Sequence, residues 1–308
     1  MVSRGGRGKS SNCSGQPFRH ERAQPTPPPV RPVLPSRVDE LPPLGADFWS
    51  IVDDGVAALD LALAPAVRAG IDAHVRLLLA WNAAINLTGL REPAQIARGH
   101  VLDSLTAAAS VDAVLRRSPD ERGGGLLDLG SGGGFPGLPL ALVVGAGRCA
   151  LVDSVAKKAA FLKVASLAAR TAAHAAEAGA WLPSFEVLAE RAEDLADEPT
   201  QRAGWDVVTA RAVGSLAEVA ELGLPLLTVG GRLVVWKLDS GDQLRAELDA
   251  ARAIVRAAGG SRPHVASVRP AARLGLTGHV LVTIRKARPT PDRYPRQPAE
   301  RRRSALLR

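Results

Sequence analysis

Leu126-Leu127-Asp128-Leu129-Gly130-Ser131-Gly132-Gly133-Gly134-Phe135-Pro136-Gly137 is an apolar run that ends in a carboxylate, followed by four glycines in five positions and then a proline. The apolar run reads as a buried strand and the glycines as a tight turn, and Pro136 suits the first turn of a helix. Such a turn lets backbone N–H groups approach a ligand with no Cβ in the way. A turn that binds nothing needs one or two glycines, not four.

Gly132, Gly134 and Gly137 satisfy the dinucleotide pattern G-x-G-x-x-G, but that pattern alone is weak in a chain with 30 glycines. Two residues argue against it. Asp128 sits at the strand end, where a pyrophosphate cradle would not welcome a negative charge, and Pro136 has no N–H to give a phosphate. A carboxylate followed by G-x-G-x-G suits a ligand with a positive centre, and S-adenosyl-L-methionine carries a sulfonium and an ammonium. Asp128 is expected to reach toward its amino-acid end, with Gly130 and Gly132 letting the methionine moiety lie against the backbone. An acidic residue should follow about 20 residues on, at the end of a second strand, to take the ribose hydroxyls. Cys149-Ala150-Leu151-Val152-Asp153-Ser154 supplies it in Asp153, whose two acceptor oxygens match two adjacent hydroxyls. Alternatively, Asp153 only caps the next helix, a task open to Ser154 as well.

Composition sets the outer bounds. The 308 residues are 46% hydrophobic, enough for a sizeable core. Two cysteines, Cys13 and Cys149, make neither a disulfide framework nor a zinc site of usual spacing, and a reducing cytoplasm fits. No apolar run reaches the length of a membrane span, so no membrane is expected. The net charge of +8 is unevenly placed: residues 1–44 hold seven basic and three acidic residues, and residues 285–308 hold nine and two. Basic ends on a mildly acidic body suggest contact with a polyanion, with nucleic acid the first candidate. For the N-terminal end, simple solubility is the preferred reading.

The chain divides into four regions. Residues 1–44, with Pro27-Pro28-Pro29, read as a disordered basic extension. Its Arg- and Ser-rich start resembles a transit peptide but lacks an amphipathic face. Residues 45–116 are helical in pattern and form a cap or second layer. Residues 117–286 alternate strand and helix, with seven strand candidates: 125–130, 149–154, 185–191, 205–211, 231–238, 264–270 and 278–285. No helix is expected between the last two. This predicts an α/β fold with a seven-stranded, mostly parallel sheet whose last strand is antiparallel, plus the N-terminal helical layer; that is the class I methyltransferase, Rossmann-like arrangement. Ligands in such sheets bind beyond the carboxyl ends of the strands, where Asp128 and Asp153 lie. Residues 287–308 form a basic tail, in which Tyr294 can stack on a base while Arg296 and Arg301-Arg302-Arg303 meet phosphates.

Several stretches, in order from about residue 46 to 300, resemble the RsmG (GidB) family of 16S ribosomal RNA guanine-N7 methyltransferases. They are Trp81-Asn82 with Asn86-Leu87-Thr88; His100-Val101-Leu102-Asp103-Ser104; Asp128 through Gly137; Leu151-Val152-Asp153-Ser154 with Lys157-Lys158 and Phe161-Leu162; and Arg191-Ala192-Glu193 with Ala210-Arg211-Ala212. Arg293-Tyr294-Pro295-Arg296 is similar to the family's C-terminal signature. The glycine turn followed by Phe135-Pro136-Gly137 is the most specific piece. The N-terminal extension and an Ala-rich insertion at Thr171–Ser184 depart from the pattern.

The resemblance implies that Gly130 and Phe135 line a methyl-donor pocket, that Asp153 holds the ribose, and that Ala192 and Glu193 flank the adenine. Arg211 ends the fourth strand near the donor's methyl group; as alternatives, Glu193 serves the helix dipole and Arg211 a surface ion pair. Asn86 and His100 could face the target guanine, and His100 could equally be a helix-capping histidine. The implied reaction is direct in-line methyl transfer to N7, which has a lone pair and no proton to lose. No general base or metal is then needed, and no catalytic side chain is assigned. The implied partner is 16S ribosomal RNA or the small ribosomal subunit, with the enzyme a cytoplasmic monomer. An NAD-dependent oxidoreductase would need a hydride-transfer site that no residue set supplies. A bare RNA-binding module would leave Asp128, the glycines and Asp153 without a purpose, and a methyltransferase for another RNA, a protein or a small molecule would share the core motif.

Overall fold

The computed structural model describes residues 34–118 and 124–301. The first 33 residues of the expected extension, Cys13, Arg302 and Arg303 lie outside them. Residues 34–44, expected to belong to the extension, are instead fixed to the body: the Trp81 indole N–H donates to the Pro35 carbonyl at 2.7 Å, Arg76 donates to the Val38 and Leu41 carbonyls, and Leu34, Val38 and Leu41 pack on the core. Composition suggested disorder there, but these apolar side chains find a complementary helix surface.

Helices come first: α1 (Ala46–Ala58), α2 (Pro65–Ile85), then α3 (Pro93–Ile96), a π-helical turn (Ala97–Leu102) and α4 (Asp103–Leu105) in one run, and α5 (Ala108–Leu115). Pro65 opens α2, because its missing N–H is one the first turn leaves unpaired anyway, and Asn86 closes it in the left-handed region at φ 50°. Ile71, His74, Val75, Leu78, Trp81 and Asn82 line its buried face at helical spacing.

The sheet region follows as β1 (Gly125–Leu129), α6 (Gly137–Val144), β2 (Arg148–Val152), α7 (Ala156–Ala176), β3 (Ser184–Leu188), α8 (Ala192–Asp197), β4 (Trp205–Arg211), α9 (Leu216–Gly223), β5 (Leu227–Leu238), α10 (Asp242–Ala257), β6 (His264–Ser267), α11 (Ala271–Leu274) and β7 (His279–Arg285). The order across the sheet is β3-β2-β1-β4-β5-β7-β6, parallel except for β7, which runs antiparallel to both neighbours. One turn of helix, α11, separates the last two strands where none was expected. The expected insertion resolves into the end of α7 and the loop after it, where Trp181 stays 62% exposed while its indole N–H meets the Gly145 carbonyl at 3.2 Å.

Strand residues alternate between two cores. Leu126, Cys149, Leu151, Val207 and Val234 face the N-terminal helices with α6 and α7; Leu127, Leu129, Ala150, Val208 and Leu233 face α8, α9 and α10. The N-terminal helices therefore share one core with a face of the sheet. Helix α2 lies along α7, whose contact face is built of small residues such as Ala165 and Ala169. At Gly70 an added Cβ would stand 2.9 Å from Leu142 Cδ1 and 3.3 Å from the Ala169 carbonyl, so a larger residue would have to turn Leu142 aside and part the helices by a few tenths of an ångström. This close approach brings the α2 end over the turn after β1. Among the described residues, no helix is long and apolar enough to cross a membrane.

Candidate functional site

The turn after β1 needs its glycines. Gly130, Gly132 and Gly134 adopt φ of 67°, 53° and 88°, a region that L side chains resist. At Gly130 a Cβ would lie 2.7 Å from Val213 Cγ2, and at Gly134 it would lie 2.7 Å from His74 Nε2. At Gly132 nothing comes closer than the Gly130 carbonyl at 3.8 Å, so the turn is open on that side. Ser131 stitches the turn to β2: its N–H donates to the Val152 carbonyl at 2.9 Å and its hydroxyl oxygen accepts the Val152 N–H at 3.1 Å.

Two carboxylates brace the turn from opposite sides. Asp128 is fully buried; it accepts the Thr209 hydroxyl at 2.7 Å and the Gly137 N–H at 3.1 Å. Burial pushes its pKa up to about 6, against the pull of these donors. This corrects the expectation that Asp128 reaches toward a ligand: both of its oxygens point into the protein, because Gly137 leaves no Cβ between the carboxylate and the start of α6. Asp153, 6% exposed, accepts the Gly132 N–H at 3.0 Å and the Val155 N–H at 2.9 Å. The bond to Val155 closes a local turn ahead of α7, whose N-cap is Val155 and carries no side-chain cap, while the other oxygen holds the open side of the glycine turn.

The strand order sets these groups in a row. Asp153 follows β2, the glycines follow β1, Arg211 ends β4, and Ala192 and Glu193 begin α8 after β3. Ala192 is half-buried and Glu193 is buried, and the Glu193 carboxylate is bonded by the Arg301 guanidinium. Burial, the largest single influence, would raise the Glu193 pKa, but the hydrogen bond from Arg301, the residue's own backbone N–H and the charges of Arg301 and Arg191 together outweigh it and hold the group below the ordinary carboxylate range.

Beside the turn, Phe135 is 5% exposed and lies between two imidazoles, with ring centroids 4.7 Å from His100 and 4.5 Å from His74. His100 sits in the π-helical turn, a local irregularity often found at working sites. Its Nδ1 is 3.0 Å from Arg211 Nη2 and its Nε2 is 2.6 Å from the Thr88 hydroxyl. Nδ1 also lies 3.0 Å from the Gly99 carbonyl, so it stands between a group that can only donate and one that can only accept, and the tautomer follows whichever of the two bonds is made. Burial, followed by the nearby Arg211 charge, lowers the His100 pKa to about 4. His74, also lowered to about 4 by burial, donates through Nε2 to the Gly133 carbonyl at 2.7 Å.

Arg211 is no surface ion pair. It donates to Asp103, 3% exposed in its side chain, at 2.7 Å and to the Gly99 carbonyl at 3.0 Å. Asp103 also accepts from His279 Nδ1 at 2.9 Å. Buried Asn82 shapes the adjoining loop by pairing with both the N–H and the carbonyl of Thr88. Asn86 caps α2 with its backbone while its side chain is exposed.

The two tail residues expected to meet RNA are placed otherwise. Tyr294 is 8% exposed, and Arg296 forms hydrogen bonds to both oxygens of buried Glu221 through Nε at 2.8 Å and Nη2 at 2.7 Å. Arg202 donates to the Tyr294 carbonyl at 3.0 Å. The segment is docked on the body because a buried carboxylate requires a cationic partner. His74, Thr88, Asp103 and His279 were not singled out as site residues in the sequence. The stretches His100-to-Ser104 and Asn86-Leu87-Thr88 gave a signal for Asp103 and Thr88; nothing local marked His74 and His279.

Residues 68–273 match the family model GidB, described as rRNA small subunit methyltransferase G. The chain is 39% identical over 221 residues to the Ribosomal RNA small subunit methyltransferase G of Roseiflexus castenholzii, covering 71% of this chain and 83% of that one. It is 33% identical over 250 residues to the protein of that name from Symbiobacterium thermophilum, covering 81% and 94%. The corresponding protein of Dehalococcoides mccartyi is 35% identical over 245 residues, covering 79% and 93%.

Proposed function

The chain belongs to the ribosomal RNA small subunit methyltransferase G family, and from that premise we propose that it methylates N7 of a guanine in 16S ribosomal RNA with S-adenosyl-L-methionine as donor. One observation carries this reading: the glycine turn at the carboxyl end of β1 is braced by Asp128 on its buried side and by Asp153 on its open side.

The residues present fit that donor. Gly130 and Gly132 give backbone without side chains, and the turn is open at Gly132. Each Asp153 oxygen accepts one N–H, which leaves a lone pair on each for a ribose hydroxyl. Ala192 and Glu193 stand at the next strand end for the adenine. When bound, S-adenosylmethionine supplies an electrophilic methyl group on a sulfonium.

The chain's own contribution is alignment. Asp103, the Gly99 carbonyl and His100 fix the Arg211 guanidinium 5.8 Å from the Phe135 ring centre. Phe135, held between two imidazoles, gives this corner a rigid apolar wall. Guanine N7 has a lone pair and no proton, so no side chain must act as a base. A His100 kept neutral by burial is consistent with that. Proximity and orientation then supply about 7–11 kcal/mol of the barrier. Asn86 and His100 remain the candidates nearest the base. Tyr294 and Arg296 act on the RNA only through the surface they help to build. The proposed enzyme works as a cytoplasmic monomer on 16S ribosomal RNA or the small subunit.

The test is to incubate the protein with methyl-labelled S-adenosylmethionine and small subunits lacking the modification, then map 7-methylguanosine. Label at one guanine of 16S ribosomal RNA is expected. A folded, donor-binding protein that leaves N7 unmethylated in both the free RNA and the subunit would refute the reading.

A further inference from the structure

A cleft of about 540 Å³ lies at the opposite end of the sheet from the glycine turn. The start of β1 and β2, the early part of β5 and the last residue of β7 line it. Among the described residues, four arginines line it, Arg117, Arg148, Arg232 and Arg285, together with one acid, Asp206. Residues 45–284 as a whole hold 23 basic and 26 acidic residues, so this local excess of positive charge runs against the balance of the body around it.

These charges are poorly compensated from within. Arg232 and Arg285 stand directly opposite each other on antiparallel β5 and β7. Like charges in that position repel and destabilise a sheet. Among the described residues, the side chains of Arg117, Arg232 and Arg285 make no hydrogen bond or ion pair. Arg148 is held flat, its guanidinium 4.0 Å from the Trp205 ring centre and donating to the Gly204 carbonyl. Asp206 is already engaged, accepting the Gly125 N–H at 2.9 Å and the Ser118 hydroxyl at 3.1 Å. A rigid arginine, three unpaired ones and an occupied acid form a receptor for anionic oxygens. Guanidinium donors match phosphate geometry.

We propose that this cleft binds phosphates of the RNA backbone and anchors the substrate on the side of the sheet away from the methyl-transfer site. The inference rests on the ribosomal RNA reading above and extends it. Strand β1 has five residues and spans roughly 17 Å, with the cleft at its start and the glycine turn at its end. A single nucleotide cannot touch both; a folded RNA or a ribonucleoprotein particle can. The cleft thus selects for structured substrate.

The experiment uses the full chain and a triple variant, Arg117→Gln with Arg232→Gln and Arg285→Gln. Binding of a fluorescent 16S ribosomal RNA transcript is followed across a salt series, and binding of S-adenosylmethionine by calorimetry. Each phosphate contact contributes about 0.7–0.9 to the slope of log affinity against log salt, so the variant's slope should fall by about 2–3. Its donor affinity should stay within twofold, and its melting temperature should hold or rise as the Arg232–Arg285 repulsion is relieved. In methylation assays KM for RNA should rise at least tenfold while kcat at saturating RNA stays within twofold. An unchanged salt slope in the folded variant overturns the proposal while leaving the methyltransferase reading standing. A wild-type protein that binds the RNA with this slope but never methylates it has the opposite meaning. Inorganic phosphate at constant ionic strength forms the last arm. Displacement of RNA by phosphate from the wild type but not from the variant supports the proposal; phosphate that binds the wild type and not the variant yet displaces no RNA reassigns the cleft to free phosphate and overturns it.

Discussion

Replacing Asp128 by asparagine isolates the cost of burying a charge beneath the glycine turn. The carboxyl is fully buried, which pushes its pKa up to about 6 from the 3.8 of an ordinary aspartate. A carboxyl with a raised native pKa binds its proton more tightly in the folded state. Its contribution to stability is therefore greatest at low pH and is lost as pH rises from 3.8 through 6. A shift of about two units corresponds to about 3 kcal/mol of destabilisation above pH 6. Asparagine keeps the geometry: its carbonyl accepts the Gly137 N–H, its amide donates to the Thr209 oxygen, and the Thr209 hydroxyl can turn to the Leu127 carbonyl, 3.4 Å away. Asp128→Asn should thus be more stable than the wild type by about 3 kcal/mol at pH 7.5 and by roughly half that at pH 5. Urea unfolding of both proteins at the two pH values measures the gap. A gap that is the same at pH 5 and pH 7.5, or a variant less stable at pH 7.5, refutes the account of Asp128 as a buried strut. Asp128→Ala is the control: it strands the Gly137 N–H and the Thr209 hydroxyl and should destabilise by roughly 1–3 kcal/mol for each donor left unmet.

Other expectations follow from the same contacts. Asp153→Ala should weaken S-adenosylmethionine binding at least tenfold in calorimetry and cost about 1 kcal/mol of stability or more through the lost hydrogen bonds to the Gly132 and Val155 N–H groups; unchanged affinity in a folded variant removes the ribose assignment. Gly134→Ala should lower stability by roughly 1–3 kcal/mol, because its Cβ would stand 2.7 Å from His74 Nε2 at φ 88°. His74→Ala in the same chain should recover part of that loss in thermal melts, and no recovery would mean that backbone strain alone is responsible. Arg296→Ala leaves the Glu221 carboxylate buried and unpaired and should cost about 3–5 kcal/mol; adding Glu221→Gln should be partly compensating in a double-mutant cycle. A chain starting at residue 45 should melt below one starting at residue 34, since it lacks the backbone carbonyls that hold Arg76 and Trp81. Equal melting temperatures would show those contacts to be idle.

The path of the chain through the sheet was legible because strand, glycine turn and helix start each follow from local rules. A short apolar run alternates faces, glycines permit positive φ, and a proline opens a helix. The destinations of the carboxylates were not legible. Asp128 and Asp153 occupy the expected strand ends, but which oxygen meets which N–H depends on a turn closing over nine residues and on Thr209, eighty-one positions away. The docking of the tail was not legible for a similar reason. Arginines beside an aromatic read as a nucleic-acid surface until Glu221, seventy-five residues distant, is seen to hold Arg296.

The sequence by itself determined the seven strands and the longer helices between them, the turn that follows β1 and the family to which the chain belongs, because each rests on residues close together along the chain; the short helices α8 and α11 it did not. Only the tertiary structure decided that Phe135 sits between His74 and His100, that Asp103 ties Arg211 to His279, and that Arg232 faces Arg285 across two strands. Those pairings are set by helix crossing and strand register. Both depend on how side chains from distant segments fill shared space, a property of the packed molecule that no local stretch of residues encodes.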